Sequence, residues 1–243
     1  MAKALGSRMI NARKILLTLL AIATASCSGS QRNFEFPRTS FVQLKQLVTI
    51  KTCKPGNPFE CADTTSGISG SGSIVKVTKV GSFVLTAEHV CNSATLANYT
   101  RGKKVNRRDF YAIDLYGKEY NLKVVGTNVR FDLCLVFANG LISHPAIPIS
   151  KKPPEPGKRF YNVASPMGVF NIDMVPAFSG HFAGSDGEND IYSIPAHQGS
   201  SGSPVLNDRG EIVGVITRTF SNFNNMSLSP SYNYLSAFLS NYL

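Results

Sequence analysis

Turn-forming residues divide this chain into many short segments with the composition of β-strands. Eleven segments are rich in strand-forming residues, several of them alternate apolar and polar side chains, and Gly, Asn, Asp or Pro separates them. They cover residues 41–50, 72–79, 82–86, 110–116, 119–126, 132–138, 159–164, 174–183, 190–194, 203–206 and 210–218. Many short strands between turn signals indicate a sandwich or barrel. The chain is therefore predicted to be all-β.

Composition excludes several other classes. With 43% hydrophobic and only 16% charged residues, the chain has enough apolar material to offset the entropy of folding, which excludes an intrinsically disordered protein. The 20 glycines have no three-residue period, which excludes collagen. No stretch approaches the roughly 20 apolar residues of a membrane-spanning helix, so a multi-pass membrane protein is excluded.

Two segments interrupt or end the series of strands. Residues 145–158 are rich in Pro and Lys and are predicted to link two lobes. Near the C-terminus, Leu235, Phe238, Leu239 and Tyr242 follow the spacing i, i+3, i+4, i+7, which predicts one docking helix.

The N-terminus has the layout of a secretory signal. Residues 1–14 carry four basic residues and no acid, residues 15–23 (ILLTLLAIA) are apolar, and small residues follow. Cleavage after Ala25 fits the small-x-small rule. Alternatively, Ala25-Ser26-Cys27 resembles a bacterial lipobox, with Cys27 lipidated. Residues 1–27 are thus predicted to be a signal and 28–40 a tether, and the protein is expected to be periplasmic, tethered to a membrane through lipidated Cys27, or secreted.

The positive charge does not predict nucleic-acid binding. Four charges of the net +10 lie in residues 1–14, which leaves +6 on the exported part. Five basic residues cluster at Arg101, Lys103, Lys104, Arg107 and Arg108. No aromatic side chain is interleaved with them, as a base-stacking platform would require. We interpret the cluster as a solvated loop between two strands.

Four cysteines remain after the signal, an even number that indicates disulfides in an exported protein. Three connectivities are open, and free buried thiols are the alternative. Cys53 and Cys61 flank a predicted loop (KPGNPFE), which favours a local bridge. No metal site is predicted, because the Cys-x₂₋₄-Cys pairs of a zinc site are absent.

Three short motifs are candidates for chemistry. Residues 199–204 (GSSGSP) form a Gly-flanked turn that presents a serine and directs backbone N–H groups at one point. Residues 83–90 run from a strand into a turn that contains His89, a base able to activate a serine. Asp132 begins an apolar strand, where a carboxylate can orient a histidine. Individually, these motifs also fit a flexible turn, a structural histidine and a surface acid.

Taken in order, the motifs resemble a known family. TAEH at His89, DLCLV at Asp132 and GSSGSPV at Ser201 are similar to the signature segments of chymotrypsin-fold serine proteases, which have the order His–Asp–Ser. Residues 163–168 (VASPMG) and 70–73 (GSGS) resemble segments of bacterial HtrA-like, or trypsin-2-type, peptidases, and the likeness spans residues 66–218. Only 25 residues follow, so no PDZ domain is expected.

The resemblance implies a fold and a set of roles. The fold would be two six-stranded antiparallel β-barrels, over residues 41–144 and 159–243, with the C-terminal helix after the second. Ser201 would be the nucleophile, His89 the general base and Asp132 the orienting carboxylate. The N–H groups of Gly199 and Ser201 would form the oxyanion hole. The Gly-x-Ser-Gly frame selects Ser201 over Ser200 and Ser203.

The resemblance also suggests specificity positions. Pro195 would lie at the base of the primary pocket, where the absence of an acid disfavours Arg or Lys in the substrate. Residues Thr217, Arg218 and Thr219 would form the pocket wall and pair with the substrate backbone. His197 and Arg218 would favour an acidic side chain, with a small or apolar preference as the alternative. His144 and His181 are expected to be structural or surface residues.

Contact between His89 and Asp132 would also bring two cysteines together. Cys91 and Cys134 each lie two residues after one of these side chains, so a Cys91–Cys134 bridge is predicted. The expected function is exported serine endopeptidase, with no cofactor and a protein or peptide substrate. A binding protein with vestigial catalysis and an esterase are the alternatives.

Overall fold

The computed structural model describes residues 34–54, 56–92, 94–220 and 223–243. The chain divides into two units, Met1–Phe34 and Glu35–Leu243, and the fold is that of the second. The predicted signal, Cys27 and residues 28–33 of the predicted tether lie outside the described residues. No helix in the described ranges is long and apolar enough to cross a membrane.

The first half of the second unit is a closed antiparallel barrel of six strands. Its strands are β1 (Phe41–Lys54), β2 (Asn57–Val77), β3 (Gly81–Thr86), β4 (Val105–Ile113), β5 (Glu119–Asn128) and β6 (Leu133–Asn139), in the order β1-β2-β3-β6-β5-β4. The apolar positions of the alternating segments meet inside the barrel, where Val42, Leu44, Ile74, Val84 and Val136 are buried. The predicted all-β class and the first barrel are confirmed.

Strands β1 and β2 extend far beyond the barrel as a long hairpin. The segments predicted at 41–50 and 72–79 are too short, because the ladder continues without interruption from Phe41↔Ser73 to Cys53↔Cys61. The loop predicted between the two cysteines is wrong for the same reason, since Lys54 still pairs with Asn57. Residues 57–71 are rich in Gly, Ser and Thr, but backbone pairing with β1 holds them extended without an apolar pattern.

The second half forms a seven-stranded sheet. It contains β7 (Arg159–Val163), β8 (Ala177–Ser185), β9 (Asn189–Tyr192), β10 (Pro204–Leu206), β11 (Ile212–Val215), β12 (Arg218–Phe220) and β13 (Phe223–Pro230), in the order β11-β10-β7-β8-β9-β13-β12. The expected second six-stranded barrel is corrected to this sheet.

The difference comes from one segment that changes its partner. Strands β11 and β12 are consecutive pieces of residues 212–220, and they lie at opposite ends of the strand order. The change occurs at Ile216, whose N–H donates to Ser203 O (2.8 Å), and Thr217, whose N–H donates to Leu228 O (2.9 Å). The two ends of the sheet are therefore joined through a single bent segment, which the sequence pattern reads as one strand.

The connection between the two halves spans 140–158 and contains the predicted linker. It contacts both halves through the backbone: Ile147 N–H donates to Ile74 O in β2, and Ile212 N–H in β11 donates to Pro148 O, each at 2.8 Å. Tyr232 adds a hydroxyl hydrogen bond to Ser150 O (2.8 Å). The connection is therefore fixed along its length to the strands on either side.

Three α-helices accompany the strands in the part of the chain that the structure describes. Helices α1 (Glu88–Cys91) and α2 (Ala94–Thr100) were not predicted, because one or two turns are too short to produce a helical period. Helix α3 (Tyr232–Ser240) is the predicted C-terminal helix, and Leu235, Phe238 and Leu239 are buried as expected. Tyr242 is an exception, since it follows the end of the helix and is 37% exposed.

A buried acid holds the start of α3. Asp190 Oδ2 accepts a hydrogen bond from the Tyr232 N–H (2.9 Å), one of the helix N–H groups that have no partner within the helix. Burial raises the pKa of the Asp190 carboxyl above its ordinary value. The helix is thereby attached to β9, a strand of the second sheet.

Candidate active site

A histidine and an aspartate meet beside the first barrel. His89 lies in α1, directly after β3, and Asp132 immediately precedes β6, the hydrogen-bonded neighbour of β3. The His89 Nδ1 atom is 2.8 Å from Asp132 Oδ2 and 3.0 Å from Oδ1, and the His89 backbone N–H also donates to Oδ1 (3.0 Å). A carboxylate at this distance favours the tautomer of the neutral ring that has its proton on Nδ1, and Nε2 has no hydrogen-bond partner among the described residues.

Asp132 reaches this position through an unusual backbone conformation. Its φ of 53° lies in the left-handed region, which Asp tolerates better than most residues. The preceding Phe131 stacks on Tyr234 of α3 with ring centroids 3.7 Å apart, and its N–H donates to Asn128 Oδ1 (3.1 Å). The turn before β6 is therefore held from both sides. The Asp132 side chain is only 18% exposed, whereas that of His89 is 45% exposed.

A disulfide joins the two elements that carry this pair. Cys91 at the end of α1 is bonded to Cys134 in β6, and both side chains are buried. The structure also contains the Cys53–Cys61 bridge, between opposed residues near the end of the β1–β2 hairpin. These are the two pairings expected from the sequence.

The two disulfides differ in their expected effect on stability. Cys91–Cys134 closes a span of 43 residues and Cys53–Cys61 a span of 8. On the chain-entropy relation, replacing both members of the first pair with Ala lowers the free energy of unfolding by about 4 kcal/mol. The same change in the second pair lowers it by about 2.5 kcal/mol. Urea unfolding of both double variants measures the difference, and an equal or reversed order contradicts it.

The 199–204 turn contains two backbone N–H groups that are unpaired in the described part of the chain. Among the described residues, neither the Gly199 N–H nor the Ser201 N–H has a hydrogen-bond acceptor. The neighbouring N–H groups are paired: Ser200 donates to His197 O (2.8 Å) and Gly202 to Ile216 O (2.7 Å). Two unpaired donors in one turn are able to donate hydrogen bonds to a negatively charged oxygen.

Of the three serines in this turn, only Ser201 is partly exposed. Ser200 is buried, and its Oγ accepts a hydrogen bond from the His197 N–H (3.2 Å). Ser203 is also buried, and its Oγ accepts from Asn162 Nδ2 (2.8 Å). Within the described ranges, Ser201 Oγ has no hydrogen-bond partner. Ser201 is thus the serine of this turn that a ligand can reach.

Backbone contacts bring Ser201 against the barrel that carries His89. The Ser71 N–H in β2 donates to Ser201 O at 2.7 Å. At Gly202 a Cβ atom would lie 2.1 Å from both Ser71 O and Thr86 Oγ1, and 3.0 Å from Ala87 N, so only glycine fits this close approach. No hydrogen bond joins Ser201 Oγ to His89 in the described part of the chain. Such bonds are often long in ligand-free sites and shorten when substrate binds.

The five residues predicted to bind substrate lie in two segments. Pro195 and His197 precede the turn, and His197 is exposed. Thr217 is buried, with its Oγ1 unpaired among the described atoms, whereas Arg218 and Thr219 lie in β12. Strand β12 ends the strand order of the second sheet, so one of its edges pairs with no other strand in the described ranges.

The other histidines lie away from this arrangement. His181, in β8, is exposed. His144 is buried, with Nε2 3.1 Å from Asp114 Oδ2, under the ring of Tyr116. Burial alone would raise the pKa of the Asp114 carboxyl, but hydrogen bonds outweigh it and lower that pKa. The donors are the Lys118 N–H, the Tyr120 hydroxyl, His144 and the Tyr116 N–H.

The basic cluster is only partly a loop, which corrects the sequence interpretation. Arg107 and Arg108 lie in β4, where Arg107 forms an ion pair with Asp109. Lys103 lies over the ring of Tyr99 in α2, 4.2 Å from its centroid. Arg107 and Arg108 are both exposed near the start of β4, so their charges remain in solvent although the backbone is in a strand.

Several residues that hold the turn were not predicted. Ser71 Oγ donates to Gly199 O (2.7 Å) and accepts from the Ser165 N–H (3.0 Å). The Met167 N–H donates to Gln198 O (2.7 Å). The sequence signal for Ser71 and Ser165 was their position in the GSGS and VASPMG segments, but those motifs do not specify which atoms they contact.

Comparisons with known proteins agree with this architecture. Residues 70–215 match the family model of the trypsin-like peptidase domain. The fold is similar to the crystal structure of the serine endoprotease from Yersinia pestis, with a TM-score of 0.60 and 17% sequence identity. That match covers 84% of this chain and 63% of the Yersinia chain. No curated protein matches the sequence. On the family match over more than half of its length, the chain belongs to the trypsin-like peptidase domain family.

Proposed function

We propose that this protein is an exported serine endopeptidase that hydrolyses peptide bonds through an acyl-enzyme. One observation carries the proposal. Ser201 is the one serine of the 199–204 turn that is not buried, and among the described residues its N–H and that of Gly199 are unpaired. The turn packs against the barrel that carries His89, whose ring is hydrogen-bonded to Asp132. This combination supplies a nucleophile, a base and oxyanion donors.

In the proposed reaction, Ser201 Oγ attacks the carbonyl carbon of the scissile peptide bond while His89 Nε2 accepts the hydroxyl proton. The carbonyl oxygen becomes an oxyanion that accepts hydrogen bonds from the Gly199 and Ser201 N–H groups. Asp132 holds the Nδ1–H form of the ring and stabilises the imidazolium that forms.

Collapse of this intermediate breaks the C–N bond, and His89 gives its proton to the leaving amine. The acyl group remains on Ser201 as an ester. Water then attacks the ester carbonyl as His89 accepts a water proton, and the second tetrahedral intermediate releases the acid while His89 returns a proton to Ser201 Oγ. All groups return to their starting states, so no cofactor is consumed.

The substrate is proposed to be an extended protein or peptide segment. Strand β12 has an edge with no partner strand among the described residues, on which such a segment would add as a further strand. Arg218 and Thr219 lie on this edge, and Arg218 Nη2 donates to Asn189 Oδ1 (2.8 Å). Pro195 brings no negative charge to the pocket, which disfavours a basic substrate residue. An acidic residue near His197 and Arg218 and a small apolar residue are the two alternatives.

Export is part of the proposal. Disulfides are typical of extracellular or periplasmic proteins, and this chain has two. The basic, apolar and small-residue order of residues 1–27 is that of a secretory signal. Freely secreted protein and protein anchored through lipidated Cys27 are the alternatives, which intact-mass measurement of the mature N-terminus separates.

The purified protein is expected to react with a fluorophosphonate probe and to cleave members of a peptide library at internal bonds. Mass spectrometry of the products gives the cleavage positions and the preferred side chain. Labelling with cleavage of esters but not of any peptide would identify an esterase instead. Absence of labelling together with retained peptide binding would favour a binding protein and contradict the proposal.

A further inference from the structure

We infer that Ser71, a residue of the first barrel, is a positioning residue for the 199–204 turn. It holds the turn in the conformation in which the Gly199 and Ser201 N–H groups face the proposed oxyanion. The inference rests on the proposed function, because it concerns how the Gly199 and Ser201 N–H groups are aimed. Ser71 lies in β2 of the first barrel, whereas the turn follows β9 in the second half. Its side chain is fully buried, so it contacts neither solvent nor substrate directly.

Ser71 connects four segments through hydrogen bonds. Its N–H donates to Ser201 O and its Oγ donates to Gly199 O, both at 2.7 Å. The Ser165 N–H, after β7, donates to Ser71 Oγ at 3.0 Å. Thr86 Oγ1, at the end of the strand before His89, donates to Ser71 O at 2.7 Å. One residue thus contacts the carbonyl oxygens of both Gly199 and Ser201, the VASPMG segment and the end of β3.

The turn needs an external restraint because its first donor is a glycine. Gly199 has a φ of 94°, and glycine visits several backbone conformations at little cost. In a different conformation the peptide units on either side of Gly199 would rotate and carry the N–H group away from the oxyanion position. The hydroxyl of Ser71 stabilises one of these conformations because it donates a hydrogen bond to the Gly199 carbonyl in one orientation.

Two consecutive peptide units are fixed in this way. The Gly199 carbonyl is bonded to Ser71 Oγ, and the preceding Gln198 carbonyl accepts from the Met167 N–H (2.7 Å). In a trans peptide the N–H points opposite to the C=O of the same unit. The hydrogen bond from Met167 to the Gln198 carbonyl therefore directs the Gly199 N–H away from Met167. The Ser71 hydroxyl fixes the following peptide unit, between Gly199 and Ser200.

A general need for a buried serine on this strand does not explain these contacts. Ser73 lies two residues further along β2, on the same face of the strand, and is equally buried. Its Oγ has no hydrogen-bond partner within the described part of the chain. Ser73→Ala is therefore a matched control, which removes a buried hydroxyl from the same strand without touching the turn.

The test compares Ser71→Ala with Ser73→Ala in the full-length protein, on a peptide that the wild type cleaves. Ser71→Ala is expected to lower kcat by about 10- to 100-fold with KM within twofold of the wild-type value, because the oxyanion forms only after substrate binds. Ser73→Ala is expected to leave both constants within twofold. Ser71→Cys, whose thiol is a weak donor, is expected to be intermediate.

A second measurement separates positioning from loss of stability. A peptide aldehyde forms a hemiacetal with Ser201 whose oxygen occupies the oxyanion hole, so its inhibition constant should rise in Ser71→Ala by the same factor that kcat/KM falls. A purely structural role would lower the melting temperature and leave this constant unchanged in the folded fraction. If Ser71→Ala does not fold, Ser71→Cys is measured in the same way.

The outcomes distinguish the inference from the function on which it rests. A wild-type protein that neither reacts with a fluorophosphonate nor cleaves peptides contradicts the proposed function. If the wild type is active and the kcat of Ser71→Ala equals that of Ser73→Ala, the inference is overturned and the proposed function stands. If Ser71→Ala does not fold, the kcat of Ser71→Cys is compared with that of Ser73→Ala in the same way. Parallel losses in kcat and in aldehyde affinity support it.

Discussion

Ser201→Ala is expected to abolish fluorophosphonate labelling and to lower kcat for peptide hydrolysis on the order of 10⁶-fold. The loss is this large because the nucleophile and its base act as a unit, and His89 has no proton to accept when the hydroxyl is absent. His89→Ala is expected to have a similar effect, and the double variant should be little worse than either. Burst kinetics on an activated ester, with melting temperature as the folding check, measure all three.

Ser200→Ala is the matched control for this prediction. Ser200 is the next residue along the chain, but it is buried and its Oγ accepts from the His197 N–H. Covalent labelling should persist in this variant, and the modified peptide should carry the label on Ser201. Labelling that survives Ser201→Ala, or that disappears only in Ser200→Ala, would show that the nucleophile is misassigned.

Local patterns predict those parts of the fold whose signal is local. Alternating apolar residues gave the strands of the first barrel, and the i, i+3, i+4 spacing gave the docking face of α3. The first part of β2 and the whole of β13 were missed because Gly, Ser and Asn dominate them, and they become strands only through pairing with β1 and β9. Tertiary pairing overrides weak strand propensity at both places.

The candidate site also has parts that the sequence predicts and parts that it does not. The residues of the three motifs could be selected from the sequence because the chemistry requires an imidazole, a carboxylate and a Gly-flanked hydroxyl. The left-handed φ of Asp132 and the hydrogen bonds of Ser71 had no sequence signal of their own. The side-chain hydrogen bonds of Ser71 form where segments more than 90 residues apart meet, as in the contacts with Gly199 and Ser165.

Asp132→Asn is expected to lower kcat roughly 10⁴-fold while the fold and the binding of peptide are retained. Asparagine tolerates the left-handed backbone as well as aspartate does, so the turn before β6 keeps its shape. The amide oxygen can still accept from the His89 N–H, as Oδ1 does now. At the ring, however, an NH₂ donor would face Nδ1, and the ring would then carry its proton on Nε2, where it cannot act as a base.

Asp208→Asn is the control for the change in charge, since Asp208 is an exposed acid in the turn between β10 and β11. It removes the same negative charge without contacting His89, and its kcat should stay within twofold of the wild-type value. A kcat for Asp132→Asn within tenfold of that control would mean that the carboxylate does not orient the base. The expected fall in kcat is attributed to the loss of the contact between Oδ2 and Nδ1, which are 2.8 Å apart, and not to unfolding. A melting temperature for Asp132→Asn close to that of Asp208→Asn would separate the two explanations.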